Sequence, residues 1–507
     1  MPQQSDKVFA LVTVLLGMFI AAMESLIGST ILPSIISSLG GLHLYPWLIS
    51  CFLLALIVAT PLFGTLADTL GFFKVYYIAL IFFSIGSFLC GVSQSMIQLI
   101  LARIIQGIGT AGLITLCLLY VGIAYPLSIR HKMQALISSM WALASLLGPS
   151  FGAFIVAYTS WRFAFLINLP LCILIALGTF FFLKNIPSPK NEASFDLNGA
   201  FIFTLASLTF LYSIVRLGNF QFASLELFLL ITSFAFFGLL IRRGSSNEGA
   251  FLSLSPLKKQ PIIATAIGLG FLGGAFLFAT ANFLPFFVQG VQGGSIKAVG
   301  QVVTGMALGT CAGSFITALI LSQIGFRSTA LIGSFFLTSG IISLILLTEE
   351  SSLFMVTLAN FLTGVGIGIS ANGAIVATQS FAPSNRLGLH TSLFSFFRNV
   401  GGMLAISLIG ALQLGAFRRE ISENVIGLHK FDALEVLSHP ESFLDPSRRL
   451  FLSEVAIKTL ALSLQYSLHL AFLTLVPLLF IHIWLSSKMP NIRPHEISLP
   501  KTDAMGE

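Results

Sequence analysis

Four ionisable side chains stand where an apolar chain should avoid them. Glu24, Arg103 and Arg398 lie inside long hydrophobic runs, and Asp68 lies at the end of another. A charge inside a bilayer is expensive, so it normally faces a partner or a water-filled path. Glu24, in "AMESLIGSTILP", and Arg103, in "LARIIQGIGTAG", carry opposite charges. At a helical rise of ~1.5 Å per residue they lie ~12 Å and ~9 Å from the outer ends of their runs. Similar depth permits an ion pair. A carboxyl so placed can load and release a proton, and one pKa unit costs only about 1.4 kcal/mol. The same pair could instead be a static clamp, although buried pairs are poor net stabilisers. Arg398, in "FSFFRNVGGMLA", is ~15 Å into its run. It could line a cavity and attract anionic groups, or pack helices through backbone carbonyls. Asn282, Gln289, Asn360, Asn372 and Gln379 are further polar groups, each taken alone more simply interhelical glue than ligand.

These residues need membrane helices to position them. Of 507 residues 56% are hydrophobic and 9% charged, far below the roughly 25% charged residues of a soluble domain. Windows of about 20 apolar residues, the length of one span, occur fourteen times. They cover roughly 8–32, 47–67, 75–93, 97–121, 134–158, 163–184, 198–217, 225–242, 260–288, 297–321, 328–347, 353–379, 388–411 and 465–486. With both termini inside, Lys7, Lys74, Arg130, Lys132, Lys184, Arg242, Arg243, Arg327, Arg386 and Lys488 all fall in cytoplasmic segments. The short outer loops hold only Arg162, Arg216 and Lys297. That asymmetry sets an N-in, C-in orientation, and the long 412–464 loop stands outside the rule. The first run is too long for a cleaved signal and is read as the first span. Five scattered cysteines suggest neither a metal site nor a disulfide framework.

An internal repeat organises the spans. "LARIIQGIG" (101–109) returns as "LANFLTGVG" (358–366), and "LGFFKV" (70–75) is echoed by "IGFRST" (324–329). Two six-helix halves with an inserted pair is the simplest parsing, the parallel-repeat plan of one large transporter class. The divisions are 1–184, the inserted helices 185–259, 260–486 with the 412–464 loop, and a cytoplasmic tail 487–507. In "ALASLLGPSFGAF", Gly148, Pro149 and Gly152 predict a kinked, closely packed fifth helix.

Taken together these segments resemble the major facilitator superfamily, in its fourteen-helix drug:proton antiporter branch of multidrug efflux type. "GTLADTLGFFK" is similar to the helix 2–3 loop motif at Gly64, Asp68, Gly71 and Lys74. "LARIIQGIGTAG" resembles the helix 4 motif at Arg103, Gln106, Gly107 and Gly109. "LGPSFGA" resembles the antiporter motif of helix 5 at Gly148, Pro149 and Gly152, which implies export. "SWRFAFLINLP" (160–170) and "FFRNVGGMLA" (396–405) match further signatures, and Glu24, Ser29 and Pro33 keep the helix 1 pattern. Thr69, Phe72 and Phe73 stand where the family often has basic residues, which thins its charge network around Asp68. Leu26 replaces a typical threonine.

The resulting expectation is an all-α, multi-pass protein of the inner membrane that exports small organic molecules in exchange for protons. A dedicated exporter of a metabolite or siderophore is the alternative, and a membrane sensor or scaffold a weaker one, since no soluble output domain is evident. No enzyme activity, cofactor or metal is expected, and no basic block suggests nucleic acid. ATP-driven pumping is disfavoured because no Gly-x-x-x-x-Gly-Lys-[Ser/Thr] loop occurs. Expected partners are the substrate, protons and the lipid bilayer. The chain is expected as a monomer, with a periplasmic adaptor left open.

Overall fold

Backbone polar groups have no water to bond in hydrocarbon, so a spanning chain must satisfy them within helices. The computed structural model describes residues 4–40, 44–184, 186, 196–218, 224–246, 260–424 and 454–497, and among them the regular structure is helical. Most of the 185–196 linker, most of the outer loop and the end of the tail lie outside the described residues. Among the described residues thirteen helices are long and apolar enough to cross a membrane. One of them, Lys297–Ile345, has 49 residues and would reach ~74 Å, more than twice a ~30 Å hydrocarbon core. Gly325 divides it, with φ 79° and ψ 175°. Fourteen crossing segments result.

They are α1 (Gln4–Leu39), α2 (Tyr45–Leu70), α3 (Phe72–Val92), α4 (Met96–Ala124) and α5 (Leu127–Tyr158). Next come α6 (Phe163–Leu183), α7 (Leu197–Gly218), α8 (Ser224–Ser246) and α9 (Pro261–Val291). The kinked pair is α10 (296–324) and α11 (326–345), followed by α12 (Leu353–Phe381), α13 (Leu387–Asn424) and α14 (Ile457–Lys488). Four helices outrun their apolar windows by seven residues or more, α5 and α14 at their N-terminal ends and α1 and α13 at their C-terminal ends. α1 continues to Leu39 because Ser37 and Ser38 fold their hydroxyls onto the Ser34 and Ile35 carbonyls. Gly40, at φ 67°, then ends it. α13 continues past 411 to Asn424. α5 runs unbroken through Gly148, Pro149 and Gly152 and packs along α1, while α7 and α8 pair with each other.

Glycines fix how closely the helices approach, and they do so twice. A Cβ on Gly107 would strike the Phe52 carbonyl of α2, and one on Gly364 the Met306 carbonyl of α10. Gly109 lies against the Phe83 backbone of α3, and Gly366 against that of Leu337 on α11. Gly86 on α3 meets Gln106, as Gly340 on α11 meets Thr363. Ser95 and Ser352 cap the two glycine-bearing helices by accepting the amides of Gln98 and Met355. Gly71, at φ 90°, and Gly325 make the matching left-handed breaks. The sequence echo is therefore an echo of contacts, α4 sitting on α2 and α3 as α12 sits on α10 and α11.

Candidate functional site

The glycine face of α4 seats Arg103 and Gln106 among α1, α3 and α6. Arg103 donates from Nη1 to Oε1 of Glu24 on α1 (2.5 Å) and to Oε1 of Gln106 (2.9 Å). The second carboxylate oxygen of Glu24 accepts from Nδ2 of Asn168 on α6 (2.8 Å). Asn168 and Gln106 both donate to the Ser87 hydroxyl of α3, each at 2.9 Å. The Arg103 guanidinium lies over the Phe52 ring of α2, 3.9 Å from its centroid. Glu24 is 2% exposed and Arg103 5%, so neither charge meets bulk solvent. Five helices thus enclose one ion pair with amides and a hydroxyl on its remaining bonds. Each group that reads the Glu24 charge is fixed by a second partner, Arg103 by Gln106 and Asn168 by Ser87.

A second constellation closes one end of the bundle. Asp68, at the end of α2, accepts the backbone amides of Gly388 (2.7 Å) and Leu389 (2.8 Å) in the first turn of α13. The carboxylate thereby caps a helix N-terminus, where negative charge is favoured. Gly64, one turn earlier, gives the room, since a side chain there would strike Ser392 and the Gly388 carbonyl. Nearby, Arg130 of α5 donates to the carbonyls of Gly122 (2.6 Å), Tyr125 (3.0 Å) and Gln379 on α12 (3.0 Å). Gln134 donates to Oε1 of Gln379 (3.1 Å), and Gln379 donates to the Leu118 carbonyl (2.9 Å). Asn372 reaches the His131 carbonyl at 3.5 Å. Among the described residues, the hydrogen bonds seen to join α2, α4 and α5 to α12 and α13 all lie at this end. The tail follows suit there, as Phe326 and Arg327 donate to the Ile492 and Pro490 carbonyls.

The remaining motif residues divide. Gly71 caps α2, and Lys74 is exposed at the start of α3. Phe72, at an often basic position, is buried and stacks on Tyr76 and Tyr120, with centroids 5.7 Å and 5.9 Å away. Gly148 and Gly152 are buried within α5. Asn282, Gln289, Asn360 and Arg398 do not converge on one another's hydrogen bonds. Asn282 is exposed and bonds the Phe278 carbonyl of its own helix, while Asn360 donates to the Val302 carbonyl of α10. Gln289 is half-buried near the end of α9, and Arg398 is half-buried on α13. Sequence reasoning missed Asn168, Ser87, Arg130 and Gln134 as site residues. Asn168 did leave a signal, as the one amide in the apolar α6 run.

The family model described as Major Facilitator Superfamily matches residues 14–406. Multidrug resistance protein 3 of Bacillus subtilis is 28% identical over 432 residues, covering 84% of this chain and 83% of that protein. Multidrug transporter protein MdtP of the same organism is 28% identical over 423 residues, covering 81% and 76%. Among solved structures, the proton:xylose symporter XylE superposes with a TM-score of 0.57 at 12% identity, covering 98% of this chain and 99% of that one. The chain belongs to the Major Facilitator Superfamily, has its fold, and is a multi-pass membrane transporter rather than an enzyme.

Proposed function

We propose that this superfamily member is a proton-coupled antiporter, exporting small amphipathic organic molecules across the cytoplasmic membrane by alternating access. The observation that carries the reading is the enclosed Glu24–Arg103 pair, with Asn168 on its second oxygen. The printed names of the two Bacillus subtilis relatives support efflux of drug-like molecules. Under this reading residues 1–184 and 260–486 form two rocking halves, with 185–259 inserted between them. The Asp68–α13 and Arg130–Gln379 bonds then form the cytoplasmic seam, drawn here in its closed state. A proton arriving from outside neutralises Glu24 and leaves Arg103 buried without a counter-charge. An unpaired buried charge is strongly destabilising, so the first half favours a rearrangement that restores the pair by releasing the proton inward. Substrate loading from the opposite side uses the same cycle in reverse phase.

The test is substrate-driven proton flux in proteoliposomes carrying Glu24→Gln. The amide keeps an acceptor for Arg103 but cannot lose a proton. Substrate exchange down a substrate gradient should survive, while proton movement should vanish. Proton flux equal to that of the unsubstituted protein would remove Glu24 from the mechanism.

A further inference from the structure

Resting on the exporter reading, we infer that the transported molecules are organic anions whose negative group pairs with Arg398. The deep charges described above have partners: Glu24 with Arg103, Asp68 with two amides, Arg130 with three carbonyls. Arg398 has none. Among the described residues it makes no hydrogen bond or ion pair, and its Nε is sealed from solvent without an acceptor. The residue is half-buried on α13 and keeps accessible surface through which a ligand can reach it.

No carboxylate stands ready to answer this charge. From residue 260 to 419 the only acidic residues are Glu349 and Glu350, in the turn between α11 and α12, and none occurs in 457–488. The first eight spans supply Glu24 and Asp68, both already engaged, and Asp6 and Glu226 in the first turns of α1 and α8, neither of them without a partner. The backbone that carries the guanidinium is closely packed. Gly274 on α9 packs against the Arg398 backbone, and Gly401 on α13 packs against the Phe271 carbonyl. A charge this far into the bilayer, without a partner, is costly, and a ligand that brings the counter-charge recovers that cost. Carboxylates and sulfonates fit best, since a guanidinium fork binds two oxygens at once. Cationic amphiphiles meet like charge here and are disfavoured.

The experiment titrates the purified full-length protein in zwitterionic nanodiscs with two matched probes, naphthalene-2-sulfonate and 2-naphthyltrimethylammonium. The protein should bind the sulfonate at least tenfold more tightly. Arg398→Gln should erase that preference, and Arg398→Lys should retain part of it. Equal affinity for the two probes, or an unchanged preference in Arg398→Gln, would overturn the inference. If the glutamine variant fails to fold, the comparison of probes on the unsubstituted protein decides alone. Adding phosphatidylglycerol separates a lipid headgroup from a substrate. Loss of sulfonate binding on that addition would assign the anion site to lipid and overturn the substrate class. No proton gradient is present, so the result is independent of the Glu24 test.

Discussion

The closed seam hangs on Asp68, and its contribution can be worked out from two bonds. Both carboxylate oxygens accept amides in the first turn of α13, at 2.7 and 2.8 Å. Hydrogen bonds to a charged group are worth about 1.5–3 kcal/mol each. Asp68→Asn keeps one acceptor but turns an NH₂ toward an amide donor, and it removes the negative charge from a helix N-terminus, worth a further ~0.3–1 kcal/mol. The closed seam should lose about 2–4 kcal/mol. At about 1.4 kcal/mol per tenfold, opening becomes ~30- to 700-fold easier. Hydrogen–deuterium exchange reads this directly, because the amides of Gly388 and Leu389 are the bonds in question. Exchange of a peptide covering 384–395 should accelerate by that factor, while peptides within α4 should change little. Unchanged exchange at 384–395 in the folded variant would refute the reasoning and leave Asp68 without a latching role.

Three further perturbations test other parts of the frame. Arg103→Leu strands the Glu24 carboxylate, and breaking a buried pair by removing one partner costs about 3–5 kcal/mol. Its melting temperature in detergent should fall well below that of the unsubstituted protein. Gly109→Leu would force a side chain into the Phe83 backbone, at a cost exceeding the ~1–3 kcal/mol of ordinary overpacking. Folded yield by size-exclusion chromatography should collapse, and Gly366→Leu should behave alike in the second copy. Gln379→Leu removes the bonds to Leu118 and Gln134 but leaves the Arg130 bond to its carbonyl. It should raise exchange in the first turn of α5 by a smaller factor than Asp68→Asn does in α13.

What the sequence disclosed follows from what kind of partner each residue has. Glu24 and Arg103 were legible because charges are rare in apolar runs and depth can be counted along a helix. The helices were legible because hydrocarbon thickness imposes their length, and even the 49-residue helix betrayed its break through Gly325 in the repeated loop. Asp68 and Arg130 were harder, since their partners are backbone amides and carbonyls. Every residue carries those groups, so no side-chain pattern marks Gly388 or Gly122 as an acceptor's or donor's mate. Ser87 was invisible for another reason: a serine in an apolar helix usually bonds its own backbone, as Ser84 does to Leu80. Only the packing of α6 on α3 recruits Ser87 to Asn168. The far ends of α1 and α13 escaped because helices continue into interfacial residues that hydropathy windows exclude.

The two repeat copies share a packing frame and differ in charge, and that difference bears on coupling. In the first copy Arg103 is answered within the fold by Glu24. In the second, the equivalent Asn360 is neutral and bonds the Val302 carbonyl, so its frame needs no counter-ion. The deep charge of that half sits instead on α13 at Arg398, on the helix whose first turn Asp68 holds. The proposed proton site and the proposed anion site therefore fall in different repeat copies, and among the described residues no hydrogen bond joins them directly. If both sites act as proposed, coupling must pass through the seam. α13 carries the anion site and takes the Asp68 latch, so filling Arg398 and opening the seam move the same helix. Direct competition at one carboxylate would predict that Asp68→Asn leaves coupling intact. Transmission through α13 predicts instead that the variant leaks protons without substrate, a difference the proteoliposome flux assay resolves.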